Sequence, residues 1–331
     1  MVTIPLPSST APNTMAPLAR QIDSLRAMGL HVDVLEVRGP PKIKYARALM
    51  EIQRLASQVD LIHAHYGYCG LVARSQFKRP VVVSFMGDDL LGTPDARGAI
   101  TPMSRVVVAI DCWLARVVDG VIVKSREMAE VVKPVKAHIV ANGVDMDVFR
   151  PLDRTEARRS LGWELDRYYV LFPGNPAVPR KGYDLAVALV QHAAASMGQP
   201  IQLVPLVRVP PERVPLYMNA CNAMVMTSFV EGSPNVVKEA MACGVPIVSV
   251  PVGDVPEMLE GADACHIGER DPVILGDALR KLLQEDARMV NGRQILMQRG
   301  LDTRSVAQHL VQIYESVLRK SHGSSIKRAY P

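Results

Sequence analysis

The chain has 331 residues, room for two domains, with 48% hydrophobic residues, 5% aromatics and a net charge of +5. No apolar run reaches the roughly 18 residues of a transmembrane helix, and no basic-aromatic stripe points to nucleic acid. The five cysteines are scattered without a C-x-x-C, which predicts reduced core thiols of a cytoplasmic protein rather than disulfides or a zinc site.

In chain order, MVTIPLPSSTAPN lacks the charged and apolar regions of a signal peptide. APLARQIDSLRAMG (16–29) has helical spacing and stops at Gly29, and HVDVLEV (31–37) alternates as a strand does. KYARALMEIQRLASQV (44–59) predicts a helix, DLIHAH (60–65) a short strand and PVVVSFMG (80–87) a buried strand. VVVAIDCWLARVVDGVIV (106–123) reads as a buried helix running into a strand, and AHIVANGV (137–144) closes the first half. After a polar, proline-containing break at 146–166, RYYVLFPG (167–174), IQLVPLV (201–207), AMVMTS (223–228) and PIVSV (246–250) are strands alternating with helices. Such alternation predicts an α/β fold: two Rossmann-like parallel-sheet domains facing across a cleft, with ligands at the carboxyl ends of strands. The tail SHGSSIKRAYP (321–331) is polar and predicted to fray.

Two stretches carry candidate chemistry. In EGSPNVVKEAMACG (231–244) a strand feeds a loop and then a helix. Ser233 is expected to cap that helix and Pro234 to take its first position. Free N–H groups at its start, aided by the dipole, suit a diphosphate. Glu231 at the pocket lip could accept hydrogen bonds from sugar hydroxyls, and Glu239 those of a ribose diol; the plainer reading is a capped helix with two solvated carboxylates. In FPGNPAVPRKGYD (172–184), Arg180 and Lys181 stand at a strand's carboxyl end, where cations can neutralise a leaving diphosphate. The order is not that of a Walker A loop, and alone the segment reads as an ordinary basic loop. His63 and His65 share one strand face, more often a structural pair than a metal site.

Together these motifs resemble the retaining glycosyltransferases of family 4. EGSPNVVKEAMACGVPIVS matches that family's Glu, seven residues, Glu, then Ala-Met-Ala-x-Gly-x-Pro; PRKGYD resembles its lysine-glycine loop and ANGVDMDVFRP (141–151) its interdomain link. The likeness runs from about 16 to 318, densest over 139–257. It implies a GT-B fold with an acceptor domain over 1–150, a nucleotide-sugar domain over 151–304, and a final helix within 305–331 crossing back to the first domain. It implies that Lys181 and Glu231 are catalytic. It places the donor, a UDP-, GDP- or ADP-sugar, against Gly174, Asn175, Arg180, Lys181, Glu231, Gly232, Ser233, Pro234, Asn235, Val236 and Glu239. No metal or separate cofactor is implied, and no Asp-x-Asp is present.

The departures are specific. Asn175 stands where the family commonly has arginine, leaving Arg180 as the nearby cation, and Met86 replaces the histidine of a His-Gly-x-Asp run. The acceptor-side candidates are therefore His65, Met86, Gly87 and Asp89. Only VTIP remains of the opening strand, and PLPSSTAPN has no glycine-rich acceptor loop, as though leading residues were missing. The expected partners are a nucleotide-sugar donor and a carbohydrate or lipid-linked acceptor; oligomeric state is not legible. KIKYARALMEIQRLASQVD (42–60) reads as the outer helix of a Rossmann half, the alternative being a basic amphipathic helix on the anionic inner face of the plasma membrane. A non-catalytic nucleotide-sugar-binding partner of another transferase is the second functional reading. A nicotinamide oxidoreductase is disfavoured because no G-x-G-x-x-G follows a first strand.

Overall fold

The computed structural model describes residues 1–8, 15–95 and 98–321, without the side chains of residues 41 and 42. Residues 9–14 of the opening PLPSSTAPN stretch, residues 96–97 and the tail after 321 lie outside the described residues. The strands are β1 (Val2–Thr3), β2 (Leu35–Glu36), β3 (Ile62–His65), β4 (Val81–Ser84), β5 (Gly120–Val123) and β6 (His138–Ile139) in one sheet. A second sheet holds β7 (Tyr168–Phe172), β8 (Ile201–Pro205), β9 (Ala223–Met226), β10 (Ile247–Ser249) and β11 (Cys265–Ile267).

The orders are β2-β1-β3-β4-β5-β6 and β11-β10-β9-β7-β8. Every pairing is parallel. Each sheet reverses direction of growth beside its first strand, so each has a switch-point crevice at its carboxyl edge. The chain is thus an α/β protein with the GT-B architecture of two Rossmann-like units.

Helices cover both faces, which is why central strands such as VVVS (81–84) and AMVM (223–226) are fully buried and, Ser84 apart, apolar. β1 is two residues long, yet both are buried and it sits between β2 and β3. The strands expected over 31–37 and 137–144 shrink to two paired residues each, because the flanking residues run past the sheet edge into loops. The polar break contains a helix, Arg154–Leu161, capped by the Asp153 side chain and ended by Gly162 in the left-handed region. β11 and the helices Gly67–Arg74, Pro272–Gln284 and Gly292–Gln298 were not foreseen.

The last helix, Thr303–Ser321, lays Val306, Leu310, Ile313 and Val317 against Leu25, Val82 and Ile122 of the first unit. Two chain crossings join the units side by side, with Val144 N–H donating to Leu301 O at 2.8 Å and Thr303 N–H to Val144 O at 3.1 Å. All five cysteines are free thiols.

Candidate active site

A cleft of about 460 Å³ opens between the carboxyl edges of the two sheets, lined from the second unit by Arg180, Lys181 and the run Glu231 to Val236 with Glu239. The residues after β7 form a loop that ends in a tight turn, Pro179–Lys181, and then Gly182. Gly182 has φ +65°, and a Cβ there would lie 2.2 Å from Thr227 O. Only glycine fits that approach. Thr227 Oγ donates to Lys181 O at 3.1 Å and Gly182 O at 3.0 Å, so the lysine loop is fastened to the end of β9.

This fastening aims Lys181 Nζ at Glu231 Oε1, 2.6 Å away, with Arg180 Nη1 at 3.3 Å from the same oxygen. Residues 50 positions apart thus form one cationic-anionic cluster at the lip. Gly174 does not line the cleft; it lies under the Lys181 chain, where a Cβ would be 3.3 Å from Lys181 Cγ. Asn175 is exposed and outside the cleft lining, its Oδ1 accepting from Ala177 N–H at 2.9 Å to close its own turn.

The helix after the loop spans Asn235–Cys243, with Pro234 as its cap residue and no side-chain cap. The expected Ser233 cap is therefore corrected: its hydroxyl accepts from Lys238 Nζ at 2.9 Å, because that ammonium is fully buried and needs an acceptor. Burial pushes Lys238 down to about 8. The uncapped first turn leaves backbone N–H groups facing the cleft. Asn235 Oδ1, also there, has no partner among the described residues.

Glu239 is 9% exposed, and its Oε1 accepts from Arg20 Nη2 at 2.7 Å. Burial pushes the carboxyl up, and Arg20 opposes that shift. Arg20 comes from the opposite unit, on the helix Ala16–Ala27, with its guanidinium 5.3 Å from the Phe149 ring. The pair crosses the cleft. Nothing local in APLARQIDSLRA marks Arg20, and only the 219-residue contact reveals it.

The first unit supplies Arg20, Tyr66, Met86, Lys124, Asn142 and Phe149 to the cleft wall. Tyr66 has φ +72°, an unusual value for a bulky residue, which turns its ring into the cleft at the head of the helix Gly67–Arg74. Lys124 is buried, donates to Val140 O at 3.2 Å, and is pushed down to about 7 by burial and by Lys238. Sequence reading did not single out Tyr66 or Lys124, since no local pattern shows that either side chain reaches the cleft.

The acceptor-side candidates separate. Met86 lines the cleft. Gly87 meets Gly232 across it, a Cβ on Gly232 coming within 3.3 Å of Gly87 Cα, so bare backbone closes this gap. Asp89 faces inward: it accepts from Met86 N–H at 2.9 Å and Gly87 N–H at 2.8 Å, and burial pushes it up to about 6. Its carboxylate holds the shape of this loop. His65 is 1% exposed, 4.3 Å from the His63 ring, and is not a cleft-lining residue. His63 is held by Tyr314 OH at 2.6 Å and Ser84 Oγ at 2.8 Å. Among the described residues no group of three suitable ligands could hold a metal ion.

Comparison with known proteins bears on the family of the chain. Residues 18–148 match the family model described as Glycosyltransferase Family 4, and residues 187–285 the one described as Glycosyl transferases group 1. D-inositol 3-phosphate glycosyltransferase 1 of Catenulispora acidiphila is 28% identical, spanning 82% of this chain and 75% of the relative. The D-inositol 3-phosphate glycosyltransferase of a Nocardioides species is 25% identical over 83% and 72%. In fold, sucrose-phosphate synthase of Thermosynechococcus elongatus aligns with TM-score 0.77 at 17% identity, covering 96% of this chain and 99% of that one. Anabaena HepE in complex with UDP-glucose aligns at 0.70 and 19%, covering 95% and 99%.

The fold and the two family models together define a GT-B glycosyltransferase. The chain belongs to the group 1, family 4 glycosyltransferases.

Proposed function

We propose that this enzyme is a retaining, metal-independent transferase that moves a sugar from a nucleoside-diphosphate-sugar to an acceptor hydroxyl in bacterial glycan, glycolipid or polysaccharide synthesis. The observation that carries this reading is the joining of Lys181, Arg180 and Glu231 at one point beside an uncapped helix start. Lys181, Arg180 and the N–H groups at 235–236 take the growing charge of the diphosphate; Glu231 orients the donor sugar's hydroxyls; Glu239 takes the ribose. The acceptor, held by the first unit, attacks the anomeric carbon from the side the diphosphate leaves. One carbon–oxygen bond forms as the other breaks, and the acceptor's proton passes to a donor phosphate oxygen. No protein nucleophile is required.

A donor of the UDP kind is supported by HepE, solved with UDP-glucose, and a polyol or carbohydrate acceptor by the relatives named for D-inositol 3-phosphate. The test is hydrolysis or transfer from a panel of sugar nucleotides, with Lys181→Ala and Glu231→Ala beside the wild type. Full activity in both variants refutes the site. Met86 in the cleft wall favours the second reading, a non-catalytic binding partner. Calorimetric binding of a donor with no turnover on any acceptor selects that reading.

A further inference from the structure

The helix Pro102–Val117 does not behave as its composition predicts. It was expected to be buried, yet Met103, Val106, Val107, Ile110 and Trp113 are 74%, 55%, 42%, 42% and 55% exposed. Their spacing places all five on one stripe. Ser104, Asp111, Leu114 and Ala115 face the core instead. Beside the apolar stripe Arg105 and Arg116 are exposed. The helix's one acid, Asp111, is 2% exposed and pushed up to about 7 by burial. Its outer surface is therefore apolar and cationic, with no exposed carboxylate.

The stripe continues onto its neighbours. A Cβ on Gly70 would lie 2.7 Å from Leu114 Cδ2, so the helix Gly67–Arg74 packs directly beside it, presenting Leu71 at 37% exposure. Tyr68 of that helix meets Tyr45 of the helix Pro41–Leu55 edge-on at 6.2 Å. There Met50 is 68% and Ile43 50% exposed, with Arg47 and Arg54 exposed around them. Three helices of one layer expose apolar side chains with basic residues, and one glutamate, Glu51, among them.

We propose that this layer of the first unit rests on an anionic lipid surface, with Met103, Val106, Ile110 and Trp113 inserted among the acyl chains and Arg105 and Arg116 at the headgroups. On the helix Pro102–Val117, protruding apolar side chains next to cations, with no exposed acid, match the two attractions that hold an interfacial helix; Glu51 on the flanking helix is the layer's exposed carboxylate among Arg47 and Arg54. A second copy of this chain fits worse, because a two-fold contact through this helix sets arginines near arginines with no carboxylate of the helix to pair them. The layer ends at Tyr66, in the cleft wall, so a chain held this way keeps its cleft beside the membrane. No helix among the described residues is long and apolar enough to cross a membrane, and none is needed. The sequence-level candidate over 42–60 is thereby a flank of the surface, its Ala48 and Ile52 being buried in the core.

The test is flotation of the full chain with vesicles of equimolar phosphatidylglycerol and phosphatidylcholine, against phosphatidylcholine alone, with Trp emission followed in parallel. The expected result is flotation with the anionic vesicles, weakened by salt, and a blue shift that Trp113→Phe abolishes. Val106→Glu/Ile110→Glu and Arg105→Glu/Arg116→Glu should each lower partitioning at least about tenfold. Both pairs point outward, so unchanged melting and unchanged donor hydrolysis show that the variants are folded. The proposal is overturned if the wild type stays with neither vesicle. Equal partitioning to both, or partitioning indifferent to both variants, overturns it too. A dimer in lipid-free buffer that Val106→Glu/Ile110→Glu dissociates assigns the surface to a second copy instead.

Discussion

The two units share a strand order but spend their surfaces differently. At the cleft, the second unit presents charge: Arg180, Lys181 and Glu231 on loops tied down by Thr227 and Gly182. The first unit's counterpart loop, Met86 to Asp89, uses its one buried carboxylate on its own N–H groups and offers a thioether and bare backbone. The first unit is apolar on its outside too, where one helix exposes the Met103 to Trp113 stripe. The second unit's central layer is sealed around Val170, Leu171, Met224 and Val248. One scaffold, copied, carries different loops: the second unit gathers its cleft charges on one loop cluster, while the first unit brings Arg20 and Lys124 to the cleft from separate elements.

The largest expected effect breaks the charged side of that contrast. Lys181→Ala should lower kcat/KM for transfer roughly 10²- to 10³-fold, the usual cost of one donor to developing negative charge. Arg180→Ala should cost less, because Arg180 is farther from Glu231 and more exposed. Steady-state kinetics on the preferred donor decide it, and equal losses would make the two cations equivalent.

Core against outer layer comes next. Leu171→Ala, in a fully buried central strand, should destabilise by roughly 2–5 kcal/mol. Trp113→Ala, on the exposed stripe, should stay within about 0.5 kcal/mol despite removing a larger side chain. Urea unfolding of both variants compares the units directly. A large loss for Trp113→Ala would mean the stripe is covered.

The bridge between the units has an intermediate cost. Arg20→Ala leaves the Glu239 carboxylate buried without its partner, which should cost roughly 1–3 kcal/mol. Arg20→Lys should recover part of it. Thermal melts without donor are the measurement, and an unchanged Tm would show that the pair does not hold the cleft.

The smallest effect is in pH. Burial holds Lys124 at about 7 against 10.5 in an ordinary chain. Between those values the unfolded chain binds a proton that the folded one has released, so stability rises with pH across the window and is lost as pH falls through about 7. Lys124→Met should flatten the slope of Tm between about pH 7 and 10. A slope unchanged from the wild type would show that this ammonium stays charged in the fold.

By itself the sequence determined the class. Parallel α/β units follow from strands apolar on both faces alternating with helices, and Glu231, Lys181 and Glu239 stood out because their motif is local. The family resemblance supplied the final helix, whose apolar face is buried against the first unit. Short-range pattern could not show what each side chain meets. Ser233 read as a helix cap until the buried Lys238 claimed its hydroxyl. Asp89 stood out by its place in the Met-Gly-Asp-Asp run, and the pattern did not show that its carboxylate accepts from the N–H groups of its own loop. The run 106–117 read as buried because hydrophobicity does not say which side of a helix faces the sheet. Arg20 reaching Glu239, Tyr66 turned into the cleft and the exposed stripe were decided only by the tertiary structure. Each depends on which distant element lies opposite, and that is set by the packing of the two sheets.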